Sequence, residues 1–148
     1  MNKNIRSYQL LSPFGIGQLV NFPGDQSYMI CGLNLWDSMI EARKSMGGKI
    51  NEHEIIIKES RLENLLGVKK FKKPFPYKQI SQINSELKIP GVRFPQWHHC
   101  TNPRCGKMRT IQMTNANKEI SCTGCGSKMI PVRFVAVCPQ GHIQDVPF

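Results

Sequence analysis

Two pairs of cysteines constrain this chain more than anything else in it. Cys100 and Cys105 are spaced C-x4-C, Cys122 and Cys125 are spaced C-x2-C, and 16 residues separate the pairs. A zinc ribbon needs two tight turns, each offering two thiolates, and a connection long enough for a hairpin to bring the turns together. A glycine follows the second thiolate of each pair, Gly106 and Gly126. Glycine takes positive φ without penalty, so each turn can curl until backbone N–H groups face sulfur. The spacing therefore predicts a tetrahedral zinc site of Cys100, Cys105, Cys122 and Cys125. The first turn is two residues longer than the second and is expected to be the looser loop.

A competing register exists. Cys138-Pro-Gln-Gly-His142 adds another ligand pair, and Cys122-x2-Cys125-x12-Cys138-x3-His142 is a spacing that some zinc fingers use. The four-cysteine register is preferred because both of its pairs carry the Cys-Gly turn and Cys138 does not. Cys138 reads equally as a buried thiol ending a strand from Val132 to Val137. With His142 and Asp145 it forms a second candidate site, for a metal or a nucleophile. His98 and His99 are expected as exposed neighbours of the metal, either of them able to replace a cysteine. Cys31 has no partner in sequence and reads as core.

Compartment decides whether thiols become ligands or disulfides. The longest apolar run, Met129 to Val137, is broken by Pro131 and Arg133, far short of the roughly 20 residues a membrane helix needs. Met1-Asn-Lys-Asn-Ile-Arg6 is followed by no apolar stretch and no small-residue cleavage site, so no secretory signal is expected. A cytoplasmic, reducing setting favours metal ligation. The chain has 148 residues, room for one domain or a domain plus a small module. Lys and Arg number 20 against 10 Asp and Glu, a net charge of +10 that suits an acidic partner or nucleic acid.

Ahead of the cysteines the chemistry changes, and the class expected is α+β: a small mixed domain over residues 1–88, then a zinc-ribbon β module over 89–148. Gly17 to Phe22 and Ser27 to Cys31 are β-prone runs separated by the turn composition Pro23-Gly-Asp-Gln26, which predicts a hairpin. Leu35, Trp36, Met39, Ile40 and Ala42 share a helical face, and Gly47-Gly48 would end that helix. Ser60-Arg-Leu-Glu63 has the capping-box pattern, with Leu62, Leu65 and Leu66 as the apolar face and Gly67 as the stop. The three isoleucines from Ile55 to Ile57 favour an extended approach to it.

Residues 58–78 hold seven basic side chains against Glu59 and Glu63, with Phe71, Phe75 and Tyr77 interleaved. Lys69, Lys70, Lys72 and Lys73 beside aromatic rings suit a nucleic-acid backbone with bases stacking nearby. The alternative is a solvated loop whose aromatics tuck into the domain. Pro74 and Pro76 stiffen the connector either way.

Enzyme signatures are absent. Gly47-Gly48-Lys49-Ile50 lacks the upstream glycine of a phosphate loop and has Ile where Ser or Thr would hold magnesium. His53-Glu54 lacks the second histidine of a zinc-protease helix, and Gly15-Ile-Gly17 lacks the flanking strand and helix of a dinucleotide loop. No catalysis is expected.

Several segments, in their order along the chain, carry a resemblance: Arg6-Ser-Tyr-Gln-Leu-Leu11, Gly15-Ile-Gly17, Gly32-Leu-Asn-Leu-Trp36, Arg61-Leu62 with Leu66-Gly67, and Val92-Arg-Phe-Pro-Gln-Trp97. The most specific is Arg133-Phe-Val-Ala-Val-Cys138-Pro-Gln-Gly-His142-Ile-Gln-Asp145-Val-Pro-Phe148. Through them the chain resembles the DrmB family of the DISARM anti-phage system. The resemblance implies an accessory protein that joins a helicase subunit, DrmA, in a DNA-binding complex. It assigns no catalytic role to Cys138, His142 or Asp145. Members of that family are several times longer, so the chain is expected to correspond to their N-terminal portion. A stand-alone zinc-ribbon protein binding RNA is the alternative, and a metal-dependent nuclease a more distant one.

Overall fold

The computed structural model describes residues 7–75, 84, 87–116 and 119–148, and it is a mixed α+β structure. Pro76, Tyr77 and Lys78 of the expected basic connector lie outside the described residues. In chain order the elements are β1 (Leu19–Phe22), β2 (Gln26–Ile30), α1 (Leu33–Ser45), β3 (Ile56–Ile57), α2 (Ser60–Leu66), β4 (Phe71–Lys72) and β5 (Gly91–Arg93). There follow β6 (Trp97–Cys100), β7 (Met108–Thr110), β8 (Ile120–Ser121), β9 (Lys128–Pro131), β10 (Val135–Val137) and β11 (Ile143–Asp145). They group into two compact units, one of Met1–Gly17 with Cys31–Pro90, the other of Gln18–Ile30 with Gly91–Phe148. The units interleave in sequence, whereas the division at 88/89 follows chain order.

The first unit is built on α1. Its buried positions are Trp36 and Ile40, one turn apart on a single face. The Trp36 indole N–H donates to the Cys31 carbonyl at 2.9 Å, and its ring lies 6.1 Å from the buried ring of Phe75. The helix ends as expected, with Gly47 left-handed at φ 76°. Gly48 has a separate reason to be glycine, since a Cβ there would stand 2.6 Å from the Arg43 side chain. Asn84 is fully buried. Its side-chain amide closes on Asn51, accepting the backbone N–H and donating to the carbonyl at 3.0 Å each, and donates to Glu54 at 2.7 Å. Strands β3 and β4 form a short antiparallel ladder.

Two helix expectations shift. The N-cap of α2 is Glu59 rather than Ser60, and Glu63 reaches back to accept the Glu59 N–H at 3.3 Å. The expected apolar face is not buried: Leu62, Leu65 and Leu66 are all exposed. Periodicity marks a face as apolar but does not supply a surface to cover it.

Among the described residues the regular elements of the second unit are all β-strands. The β1–β2 hairpin turns where expected, through Gly24 and Asp25 at positive φ, and β2 pairs antiparallel with β5. A four-stranded sheet runs β7-β6-β9-β8, and β10–β11 is a separate hairpin. The anticipated strand from Val132 to Val137 is shorter, starting at Val135, because the Val132 N–H is taken by the Trp97 carbonyl at the end of the β6–β9 ladder. The core joins Ile111, Ile120 and Met129 to Cys100 and Cys122, with Cys105 packed against them. Cys31, expected as core, is half-buried.

Candidate metal centre

Each cysteine pair is presented by a turn whose backbone closes in the same way. The Cys100 N–H donates to the Lys107 carbonyl and the Cys122 N–H to the Ser127 carbonyl, both at 2.8 Å. Each first thiol then receives an N–H from two residues on, Asn102 to Cys100 and Gly124 to Cys122, at 3.4 Å. Gly106 and Gly126 are left-handed, at φ 57° and 73°, as the Cys-Gly pattern requires.

The longer first turn is not loose. Asn102 fills the two extra positions: its carbonyl accepts the N–H groups of Cys105 and Gly106, and its side-chain oxygen accepts that of Arg104. Asn forms such turns readily, a signal beside the spacing that had suggested a looser loop.

The sulfurs of Cys100, Cys105, Cys122 and Cys125 all lie within 4.8 Å of one another. Cys100 and Cys125 are 3.5 Å apart and Cys105 and Cys122 3.7 Å. These are too long for disulfides. A metal bonded to four sulfurs at about 2.3 Å in a regular tetrahedron sets them about 3.8 Å apart, so the donor set fits a tetrahedral ion.

Without a metal the thiols differ in acidity. The hydroxyl and N–H of Ser127 pull Cys125 down to about 6, and the Gly124 N–H lowers Cys122. Burial pushes Cys100 up to about 12. A divalent cation offsets that desolvation by favouring thiolate at every position. Ser127 had no signal in the spacing.

His98 is not the exposed neighbour that its position suggested. It is 1% exposed, its Nδ1 lies 2.8 Å from the Gln96 carbonyl, and burial lowers its pKa. Alternation along β6 puts His98 and Cys100 on the buried side and leaves His99 half-buried. Among the described residues neither histidine joins the cysteine group.

Cys138 and His142 come together at the β10–β11 turn, Sγ to Nδ1 at 3.3 Å, but Asp145 does not complete a third corner. Its carboxylate accepts the Gln96 backbone N–H at 2.9 Å and the Gln96 side-chain amide at 3.2 Å. Among the described residues no group of three metal-ligating side chains includes them.

The lysines of the connector are spread over a cleft of about 430 Å³ in the first unit, lined by Lys70, Lys72 and Lys73 together with Trp36, Phe71 and Phe75. Lys72 pairs with Asp37 at 2.6 Å and Lys70 with Glu52 at 3.8 Å, while Lys69 is exposed. Phe75 is turned inward at 5% exposure, its ring beside that of Trp36.

The family model described as "Domain of unknown function (DUF8724)" matches residues 6–148. A DISARM protein DrmB of Bacillus paralicheniformis is 28% identical over 65 residues, which is 40% of this chain and 12% of that relative's length. No solved structure matches.

Proposed function

The chain belongs to the DUF8724 family, and on that premise we propose that it is a non-catalytic, zinc-binding accessory protein of cytoplasmic anti-phage defence that associates with a helicase subunit and nucleic acid. The observation that carries the metal part is the group of four sulfurs within 4.8 Å, a soft donor set suited to zinc. Bound there, zinc would supply a cross-link between the two turns and no open coordination position. Cys100, Cys105, Cys122 and Cys125 would hold it, each turn directing N–H groups at sulfur. The similarity to a DISARM protein DrmB supports the defence role, and the net charge of +10 supports an acidic or nucleic-acid partner.

The absence of chemistry rests on two arguments. Four thiolates close the metal to water. Cys138 and His142 stand as a pair, with Asp145 held elsewhere by Gln96. Purified protein is expected to leave plasmid DNA intact with Mg²⁺ or Zn²⁺ present. Cleavage that disappears in His142→Ala would replace this reading with a nuclease.

Co-purification of a tagged copy from its native host tests the partnership. A helicase recovered in stoichiometric amount, and lost when the cysteines are replaced, is the expected result. Recovery of RNA without any helicase would favour the stand-alone RNA-binding reading.

A further inference from the structure

We propose that Cys138 and His142 are one half of a second zinc site, completed by the same two residues of another copy of this chain, so that the ion clasps two hairpin tips together. The site is separate from the four-cysteine centre and does not depend on the helicase or nucleic-acid partnership proposed above.

The pair is built by its turn. The Cys138 N–H donates to the His142 carbonyl at 3.1 Å, and the Gly141 N–H donates to the Cys138 carbonyl at 2.9 Å. Together they extend the β10–β11 ladder one step beyond Val137 and Ile143, which stand opposite each other. Residues directly opposite in an antiparallel pair project to the same face. The loop between them has Pro139 with its fixed φ and Gly141 left-handed at φ 84°. The result is Cys138 Sγ 3.3 Å from His142 Nδ1. On a tetrahedral zinc, a thiolate bonded at about 2.3 Å and an imidazole nitrogen at about 2.0 Å lie about 3.5 Å apart. Both can therefore bind one ion with little movement.

Two donors fill half of a tetrahedron. Among the described residues no group of three metal ligands includes them, and Asp145 is held by Gln96. A second copy related by a two-fold axis supplies the missing thiolate and imidazole, because a two-fold contact pairs a surface with itself. Two thiolates and two imidazoles around Zn²⁺ make a neutral, closed set of a kind used in structural sites. Each thiol gives up its proton to solvent, two per clasp.

The charge pattern permits a second copy at this point. The chain carries +10, so two copies repel through their basic surfaces. From Phe134 to Phe148 there is no Lys or Arg, and Asp145 is the one acid. The hairpin adds nothing to that repulsion. Its tip is also open, with Pro139, Gln140, Gly141 and His142 exposed and Cys138 half-buried. Alternation puts Ala136 and Gln144, which are opposite each other, on the face of the pair. One is small and the other uncharged, so neither bars a second hairpin.

The test adds Zn²⁺ to the whole protein, kept reduced, and follows zinc content and sedimentation mass. Wild type should take up about half an ion per chain more than Cys138→Ser or His142→Ala, and only wild type should double its mass. Both variants leave the four clustered cysteines in place, so the difference reads the clasp alone. Formation of the dimer should release about one proton per chain. His142→Cys should still dimerise on zinc, since it keeps four donors, a rescue that a merely structural role for the turn would not give.

A difference of about one full ion per chain at unchanged mass would make the pair a site within one chain and overturn the proposal. So would a wild type that stays monomeric as zinc is added, or a dimer that survives Cys138→Ser. A dimer that forms only without reductant and persists in chelator would be a disulfide through Cys138, and would overturn it equally.

Discussion

The two units solve the same problem, burying enough surface to hold a small fold, with different groups at the centre. The first unit uses side-chain bulk: Trp36, Ile40, Ile55, Phe75 and Leu87 are buried, and a fully enclosed Asn84 closes the segment at Asn51 with hydrogen bonds. The second unit places two of its four clustered cysteines, Cys100 and Cys122, inside its core beside Ile111, Ile120 and Met129, and leaves Phe134 outside. Val20, Ile30, Phe94 and Val132 are buried in the second unit as well, so it is set apart by the thiols within its core and not by a shortage of apolar bulk. Both units leave apolar side chains exposed, Tyr8 and the leucines of α2 in the first, Met108, Phe134 and Val137 in the second.

Metal removal should break this comparison most sharply. An apparent ~10–16 kcal/mol accompanies structural zinc binding, comparable to or above the ~5–15 kcal/mol that holds a whole domain. Chelation, or a Cys122→Ser substitution, is expected to unfold the β structure of the second unit. Both described α-helices lie in the first unit, so the helical circular-dichroism signal should persist while amide dispersion from residues 91–148 collapses. Full zinc stoichiometry and an unchanged fold in Cys122→Ser would show that the four-cysteine set is not the binding site.

The converse experiment is next in size. Trp36→Ala removes the centre of the first unit's core and the indole bond to Cys31, and is expected to cost about 3–5 kcal/mol. The helical signal should melt at lower temperature while zinc stoichiometry stays at one per chain. Loss of zinc together with the helices would mean that the units fold as one.

A smaller effect concerns the connector. Replacing Lys69, Lys70, Lys72 and Lys73 by Ala should flatten the salt dependence of nucleic-acid binding by about three units if all four reach phosphate. The pairings of Lys70 and Lys72 with Glu52 and Asp37 predict that the Lys69 and Lys73 double variant carries more than half of that change. Stability should move by less than about 0.5 kcal/mol per exposed site. An unchanged slope with a lower yield of helicase complex would assign the lysines to a protein contact, and no change in either would leave a solvated loop.

The smallest expected effect is one on which the units should agree. Gly47 and Gly126 are both left-handed with open space where a Cβ would stand. Alanine at either is expected to cost roughly 1–2 kcal/mol from backbone conformation alone. A much larger cost at Gly126, measured with zinc bound, would show that the turn geometry is coupled to the metal.

The cysteine turns were legible because their chemistry is local. The spacing of the thiols and the Cys-Gly steps constrain only a few consecutive dihedrals, and the pattern by itself indicated four ligands, two turns and a hairpin between them. The β1–β2 hairpin and the stop of α1 at Gly47 were readable for the same reason, since turn residues act over two or three positions. What lies on each face of an element was not legible in this way. The leucines of α2 had the right period and stayed exposed, His98 sat two positions before Cys100 and turned inward, and Phe75 left the lysines around it for the Trp36 ring. The joining of the β1–β2 hairpin to β5, across more than sixty residues, is likewise a matter of sheet pairing that no local pattern specifies. Backbone dihedrals answer to neighbours in sequence, whereas burial and pairing answer to neighbours in space, and only the tertiary structure decides who those are.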